Sequence, residues 1–139
     1  MRFWDTSGVV PLLLTQETTR EVEALLDSDP TMVAWWGTPV ECASAAARLR
    51  REGLLSVHDE SVVLESIDRL QAGWLEILPS NEVRVEARRI LRVHPLRAGD
   101  ALQLAAALVW AGSRRDGDIV TLDERFALAA RLEGLGVVP

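Results

Sequence analysis

Four acidic residues occur where the chain passes from one predicted element into the next. Asp5, Glu41 and Asp123 each come just after a predicted strand, at the start of a helix, and Asp100 starts a helix of its own. Ligands of parallel α/β sheets bind outside the carboxyl ends of the strands. We therefore expect these four carboxylates, although dozens of residues apart, to share one edge of the molecule.

The hydrophobic pattern predicts the elements that would position them. Strands are predicted at about residues 2–4, 32–36, 118–122 and 137–138. Helices are predicted near residues 9–14 and over about 18–26, 38–51, 56–78, 81–93, 101–111 and 123–132. Alternating strands and helices indicate an α/β fold, with a mostly parallel sheet flanked by helices. The helices over 56–78 and 81–93 are expected to form a helical hairpin.

The helix after Asp100 is apolar on every side. Between Ala101 and Ala111 only Gln103 is polar, and a helix with such a surface must be buried all round. This predicted core helix therefore holds Asp100 at its own beginning, in a rigid part of the molecule.

Composition limits the possible functions. The chain has 139 residues and a net charge of -6, which predicts one domain over residues 1–139 and argues against a generally basic nucleic-acid-binding surface. All fifteen basic residues are arginine, so the lysine of a Walker loop or of a Schiff-base enzyme is missing. Cys42 is the only cysteine, and no apolar run is long enough to span a bilayer. We expect a cytoplasmic protein without a membrane partner.

Helix capping is the simplest role for each acid taken alone. Local rules, however, predict that Thr38 caps the helix containing Glu41 and that Thr121 forms a capping box with Glu124 beside Asp123. Two of the four acids would then be surplus to capping. Converging carboxylates repel one another, and a divalent cation between them is the simplest remedy.

Carboxylates without clustered histidine or cysteine suit Mg²⁺ or Mn²⁺. His58 and His94 are far apart and have no ligand spacing. Such a site favours phosphodiester hydrolysis by a metal-activated water. A haloacid-dehalogenase-type phosphatase would need an aspartate where this chain has Ser7, and a response-regulator receiver domain would need a lysine. Both fit poorly.

The chain resembles the PIN-domain nucleases, and in particular the VapC ribonuclease toxins of toxin-antitoxin pairs. The matching motifs span the whole chain and lie at residues 3–7 (FWDTS), 38–45 (TPVECASA), 100–107 (DALQLAAA) and 120–126 (VTLDERF). The resemblance implies a three-layer α/β fold and a metal-dependent endoribonuclease that leaves a 5′-phosphate and a 3′-hydroxyl.

The resemblance also implies roles for individual residues. Asp5, Glu41 and Asp100 would be the central acids that bind Mg²⁺ or Mn²⁺ and catalyse cleavage. Asp123 would be the fourth, with Asp118 as a nearby competitor. Whether one or two metal ions bind is left open.

Neighbouring polar residues would complete such a site. The hydroxyls of Thr6, Ser7 and Thr121 would support it. Arg97 would either contact an RNA phosphate or form a salt bridge within its loop. The implied partners are RNA, a second copy of the chain and a small antitoxin protein. A catalytically silent module that binds RNA or a protein is the alternative.

Overall fold

The computed structural model describes residues 1–112 and 117–139. The strands are β1 (Arg2–Trp4), β2 (Met32–Trp35), β3 (Leu75–Ile77), β4 (Asp118–Val120) and β5 (Gly136–Val138). The helices are α1 (Thr6–Leu13), α2 (Thr19–Ser28), α3 (Thr38–Arg51), α4 (Val57–Gln71), α5 (Asn81–Val93), α6 (Ala98–Ala111) and α7 (Glu124–Leu132). Among these helices, none is both long enough and apolar enough to cross a membrane.

The five described strands form one sheet in the order β3-β2-β1-β4-β5, and every pair of neighbours is parallel. β1 lies in the middle, where Phe3 pairs with Val33 on one side and with Ile119 on the other. The predicted α/β class with a mostly parallel sheet is thus confirmed. Because the strands are parallel, the residues that follow β1, β2 and β4 emerge at the same edge.

Helices cover both faces of the sheet, which gives three layers. Successive side chains of a strand point to opposite faces. Phe3 accordingly packs with Leu104 of α6 in one buried core, and Trp4 packs with Val9 of α1 and Val63 of α4 in the other. The core helix is confirmed, since every residue from Gln103 to Leu108 is buried.

The predicted helix over 56–78 is wrong in its last part. α4 ends at Gln71, and Leu75–Ile77 instead forms β3, which pairs with β2. Trp74 fits the helical apolar stripe in the sequence, but it lies outside α4 and is buried directly before β3. Pairing with a neighbouring strand overrides local helical periodicity over so short a segment.

The predicted helical hairpin is also wrong. α4 packs against α3, whereas α5 packs against α6. Val63 of α4 and Val83 of α5 belong to different cores, because β3 lies between the two helices in the chain.

Candidate active site

The four predicted acids line one cleft at the carboxyl edge of the sheet. Its volume is about 370 Å³, and the lining residues include Asp5, Glu41, Asp100 and Asp123. Asp118 lies elsewhere, since it is the first residue of β4, where it pairs with Gly136. It therefore occupies the opposite edge of the sheet from the cleft.

Asp5 is the most buried acid of the cleft, with 4% of its surface exposed. Its Oδ2 accepts hydrogen bonds from the backbone N–H of Ser7 at 3.1 Å, the Ser7 hydroxyl at 2.6 Å and the Thr121 hydroxyl at 3.0 Å. Gly8 allows this close approach of α1 to β4, because a Cβ there would lie 2.8 Å from the carbonyl oxygen of Val120. One oxygen of Asp5 is thus fixed by three donors.

Burial raises the pKa of Asp5 from 3.8 to about 6, since water no longer solvates the charge. The hydrogen bonds from Ser7 and Thr121 lower this pKa in part, and the negative charge of Glu41 raises it further. Arg48 also lines the cleft, but within the described residues no basic side chain forms a salt bridge with Asp5. A cation beside Asp5 would favour its ionised form.

Glu41 is anchored by a different set of donors. Its Oε2 accepts hydrogen bonds from the Thr6 hydroxyl at 2.8 Å and from the side-chain amide of Gln103 at 3.1 Å. Its Oε1 faces the start of α6, where a Cβ on Gly99 would lie 3.3 Å from it. One oxygen is therefore held in place, and the other is presented beside α6, which carries Asp100 in its first turn.

Gln103 is a site neighbour that the sequence pattern does not assign. It is fully buried, and its amide nitrogen donates to Thr6 and Glu41 while its amide oxygen accepts from Thr38 at 3.4 Å. The sequence does contain a signal for this role, because Gln103 is a lone amide in an apolar helix, three residues after Asp100, and a buried amide needs hydrogen-bond partners.

The predicted cap at Thr38 is wrong. Gly37 is the N-cap of α3 and provides no side-chain cap, while Thr38 lies inside the helix. Its buried hydroxyl donates to Gln103 and accepts no hydrogen bond from the N–H groups of the first turn. A partner from α6, distant in the sequence, thus replaces the local one.

The predicted capping box of Thr121 and Glu124 is wrong as well. Asp123 itself is the N-cap of α7, and its Oδ1 accepts from the backbone N–H groups of Arg125 at 2.8 Å and Phe126 at 2.9 Å. The Thr121 hydroxyl donates to Asp5. Asp123 is therefore not surplus to capping.

Capping and charge at Asp123 can be separated by mutation. Asp123→Ala should lower the free energy of unfolding by about 1 kcal/mol because the cap is lost, whereas Asp123→Asn should leave it nearly unchanged because asparagine caps equally well. Urea unfolding in EDTA measures both. Equal stability of the alanine and asparagine variants would contradict the capping role.

The donor set of the cleft fits a hard divalent cation. Asp5 and Glu41 each have one anchored oxygen, and the other accepts no hydrogen bond within residues 1–112 and 117–139. In those same ranges, no three His, Cys, Asp or Glu side chains are grouped closely enough to coordinate one ion directly. Mg²⁺ keeps several waters and needs only one or two direct carboxylates, so the remaining acids can act through water.

A second, smaller cleft of about 160 Å³ adjoins the acids. Asp100 and Asp123 line it together with Arg97 and Arg125. Both arginines are exposed, and neither forms a salt bridge with any residue that the structure describes. The loop salt bridge considered for Arg97 is therefore not formed within the described residues.

Solved structures with the same fold include a toxin-antitoxin complex from Klebsiella pneumoniae, with a TM-score of 0.68 and 16% identity over 100% of this chain and 97% of that one. FitAcB from Neisseria gonorrhoeae gives 0.68 and 20% identity, with 100% and 97% covered. FitAB bound to an IR36 DNA fragment gives 0.66 and 20%, with 99% and 94% covered. At these identities the likeness shows the fold alone.

The sequence comparisons find the family of this chain but no individual relative. No curated protein sequence matches the chain significantly. The PIN domain family, in contrast, matches residues 2–132, which is nearly the whole chain and includes all four acids of the cleft. The chain therefore belongs to the PIN domain family.

Proposed function

We propose that this protein is a metal-dependent endoribonuclease and the toxin of a toxin-antitoxin pair. The observation that carries the proposal is the buried carboxylate of Asp5, which shares one cleft with three further acids and forms no salt bridge with any residue that the structure describes. Such an arrangement costs stability unless a cation is bound. Its all-oxygen donors suit Mg²⁺ or Mn²⁺.

Asp5, Glu41 and Asp100 would hold the cation, with Asp123 as the fourth acid. When bound, the cation supplies charge stabilisation for phosphoryl oxygens and lowers the pKa of a coordinated water. The protein orients the carboxylates: Ser7 and Thr121 fix Asp5, and α6 fixes Asp100. All four carboxylates line the same cleft, which has a volume of about 370 Å³.

The partner assignment rests on the structural neighbours. Two of them are a toxin-antitoxin complex and FitAB, and both share this fold over almost the full chain. A small antitoxin protein follows as a proposal for this chain, and the homodimer is proposed from the resemblance to VapC toxins alone. Light scattering of the purified chain, alone and after co-expression with a neighbouring small open reading frame, tests both.

Cleavage of RNA should depend on the metal. Purified protein should cut a mixed single-stranded RNA with Mg²⁺ or Mn²⁺ and should be inactive in EDTA, because the acids alone cannot stabilise the charge that develops on phosphate. Gel analysis of end-labelled RNA, with DNA of the same sequence in parallel, measures both activity and substrate class. Binding without cleavage under all conditions would favour the silent module, and cleavage in EDTA would contradict the metal mechanism.

Arg97 and Arg125 should contribute to RNA binding. Replacing both with glutamine is expected to raise KM several-fold with little change in kcat, since interactions with the RNA backbone position the substrate beside Asp100 and Asp123. The slope of log affinity against log salt should become shallower by about 0.7 for each phosphate that the variant no longer neutralises. Arg69→Gln, at the end of α4 that precedes β3, is the control. Unchanged KM and salt dependence in the double variant would remove this assignment.

A further inference from the structure

Gln103 is the only polar residue of the buried stretch of α6, and its side chain is 0% exposed. An amide moved from water into such a core without partners costs several kcal/mol. The chain meets this cost by bonding both ends of the amide, to Thr38 on one side and to Thr6 and Glu41 on the other. Leucine or alanine would fill the space without needing any partner.

The orientation of this amide follows from the chemistry of its neighbours. An ionised carboxylate only accepts hydrogen bonds, so the NH₂ group of Gln103 must face Oε2 of Glu41, at 3.1 Å. The Thr6 hydroxyl gives its hydrogen to the same Oε2 at 2.8 Å and accepts the second amide hydrogen. Three side chains from α1, α3 and α6 are thus mutually bonded.

The consequence is a carboxylate with one fixed oxygen. Oε2 of Glu41 is bound by two donors, which leaves Oε1 as the oxygen directed to the start of α6. Asp100 and Gln103 are three residues apart on that helix and so share one face. The same rigid helix therefore carries one acid and orients another.

We infer that Gln103 is a positioning residue that sets the metal affinity of the cleft by fixing the Glu41 carboxylate. The inference rests on the proposed function, because it requires that the cleft binds a cation. Groups that orient a metal ligand commonly change metal affinity by 10- to 100-fold when they are removed. The amide hydrogen bond to Glu41 is such an interaction.

The test is Mn²⁺ binding to the full-length chain by isothermal titration calorimetry. Gln103→Met keeps the length of the side chain and removes both the NH₂ group and the carbonyl oxygen of the amide, so the Kd for Mn²⁺ is expected to rise by roughly 10- to 100-fold. Gln71→Met is the matched control, since Gln71 is exposed on α4 and its amide donates to Glu76. The Kd of this variant should equal that of wild type. kcat of Gln103→Met should recover when Mn²⁺ is saturating.

The outcomes are distinguishable. If folded Gln103→Met binds Mn²⁺ with the same Kd as wild type, the inference alone is overturned. A loss of kcat that saturating Mn²⁺ does not restore would also overturn it. Wild-type protein that binds no Mn²⁺ would overturn the proposed function together with the inference. If Gln103→Met does not fold, Thr38→Val removes only the donor to the amide oxygen, and it must still weaken Mn²⁺ binding.

Discussion

Replacing Asp100 with asparagine is expected to lower the rate of RNA cleavage by roughly 100- to 1,000-fold while the protein stays folded. A bound divalent cation contributes several kcal/mol to the stabilisation of charge in the transition state, and each 1.4 kcal/mol corresponds to a factor of about ten. Asparagine keeps the shape of the side chain but removes the charge that holds the cation.

The position of Asp100 explains why this effect should be among the largest. It lies in the first turn of α6, whose residues from Gln103 to Leu108 are all buried between the sheet and α5. Because α6 is packed on all sides, it cannot shift to bring another acid to the position of the lost Asp100 carboxylate. Loss of the Asp100 charge should therefore not be compensated by Asp123, although both acids line the same cleft.

Asp118→Asn is the matched control, because it makes the same chemical change at the opposite edge of the sheet. Single-turnover cleavage at saturating RNA and Mn²⁺ compares the two variants, and circular dichroism verifies their folding. Asp118→Asn should cleave RNA at the wild-type rate. A fully active Asp100→Asn, or an inactive Asp118→Asn, would refute the assignment of the acids.

The sequence predicts the edge at which the acids meet because that edge depends on topology alone. Parallel strands place whatever follows them on one side, so the positions of Asp5, Glu41 and Asp123 need no knowledge of side-chain packing. The central position of α6 was equally predictable, since a helix that is apolar on every side except for Gln103 must be buried in the core. β3 was not, because Ile77 continues the apolar stripe of the preceding helix and the segment becomes a strand only through pairing with β2.

Hydrogen-bond partners were harder to predict than elements. Thr38 and Thr121 follow every local rule for capping, yet each hydroxyl donates to a residue far away in the chain, namely Gln103 and Asp5. A hydroxyl within reach of a buried amide or carboxylate serves that group, because an unsatisfied buried polar group costs more than an uncapped helix end in contact with water. Partners of this kind depend on the assembled fold.

Asp5→Asn is expected to stabilise the metal-free protein. The folded-state pKa of Asp5, about 6, lies above its ordinary value of 3.8. Between these two values the folded protein holds a proton that the unfolded chain has released, so the stability of wild type falls as the pH rises from about 4 to about 6. Asparagine does not ionise, and its Oδ1 can accept the same hydrogen bonds from Ser7 and Thr121.

The measurement is urea unfolding in EDTA between about pH 4 and about pH 8. The difference between Asp5→Asn and wild type should be smallest near pH 4, grow through the window from about 4 to about 6, and level off at about 1–3 kcal/mol above it. Asp118→Asn again serves as the control, since it is exposed and should follow the wild-type curve. A variant that is less stable than wild type at the upper end of this range in EDTA would contradict the prediction.

Mn²⁺ should reverse this order. A cation that binds only the folded state stabilises it by about 4.1 kcal/mol at a concentration of about 1,000 times Kd, which exceeds the advantage of the variant. Wild type should gain this stability at about pH 8 and lose it below about pH 6, where the proton on Asp5 competes with the cation. Asp5→Asn should gain little at any pH. The buried charge that weakens the metal-free fold would then be the same charge that binds the cation, so stability and affinity must change in opposite directions at this one residue.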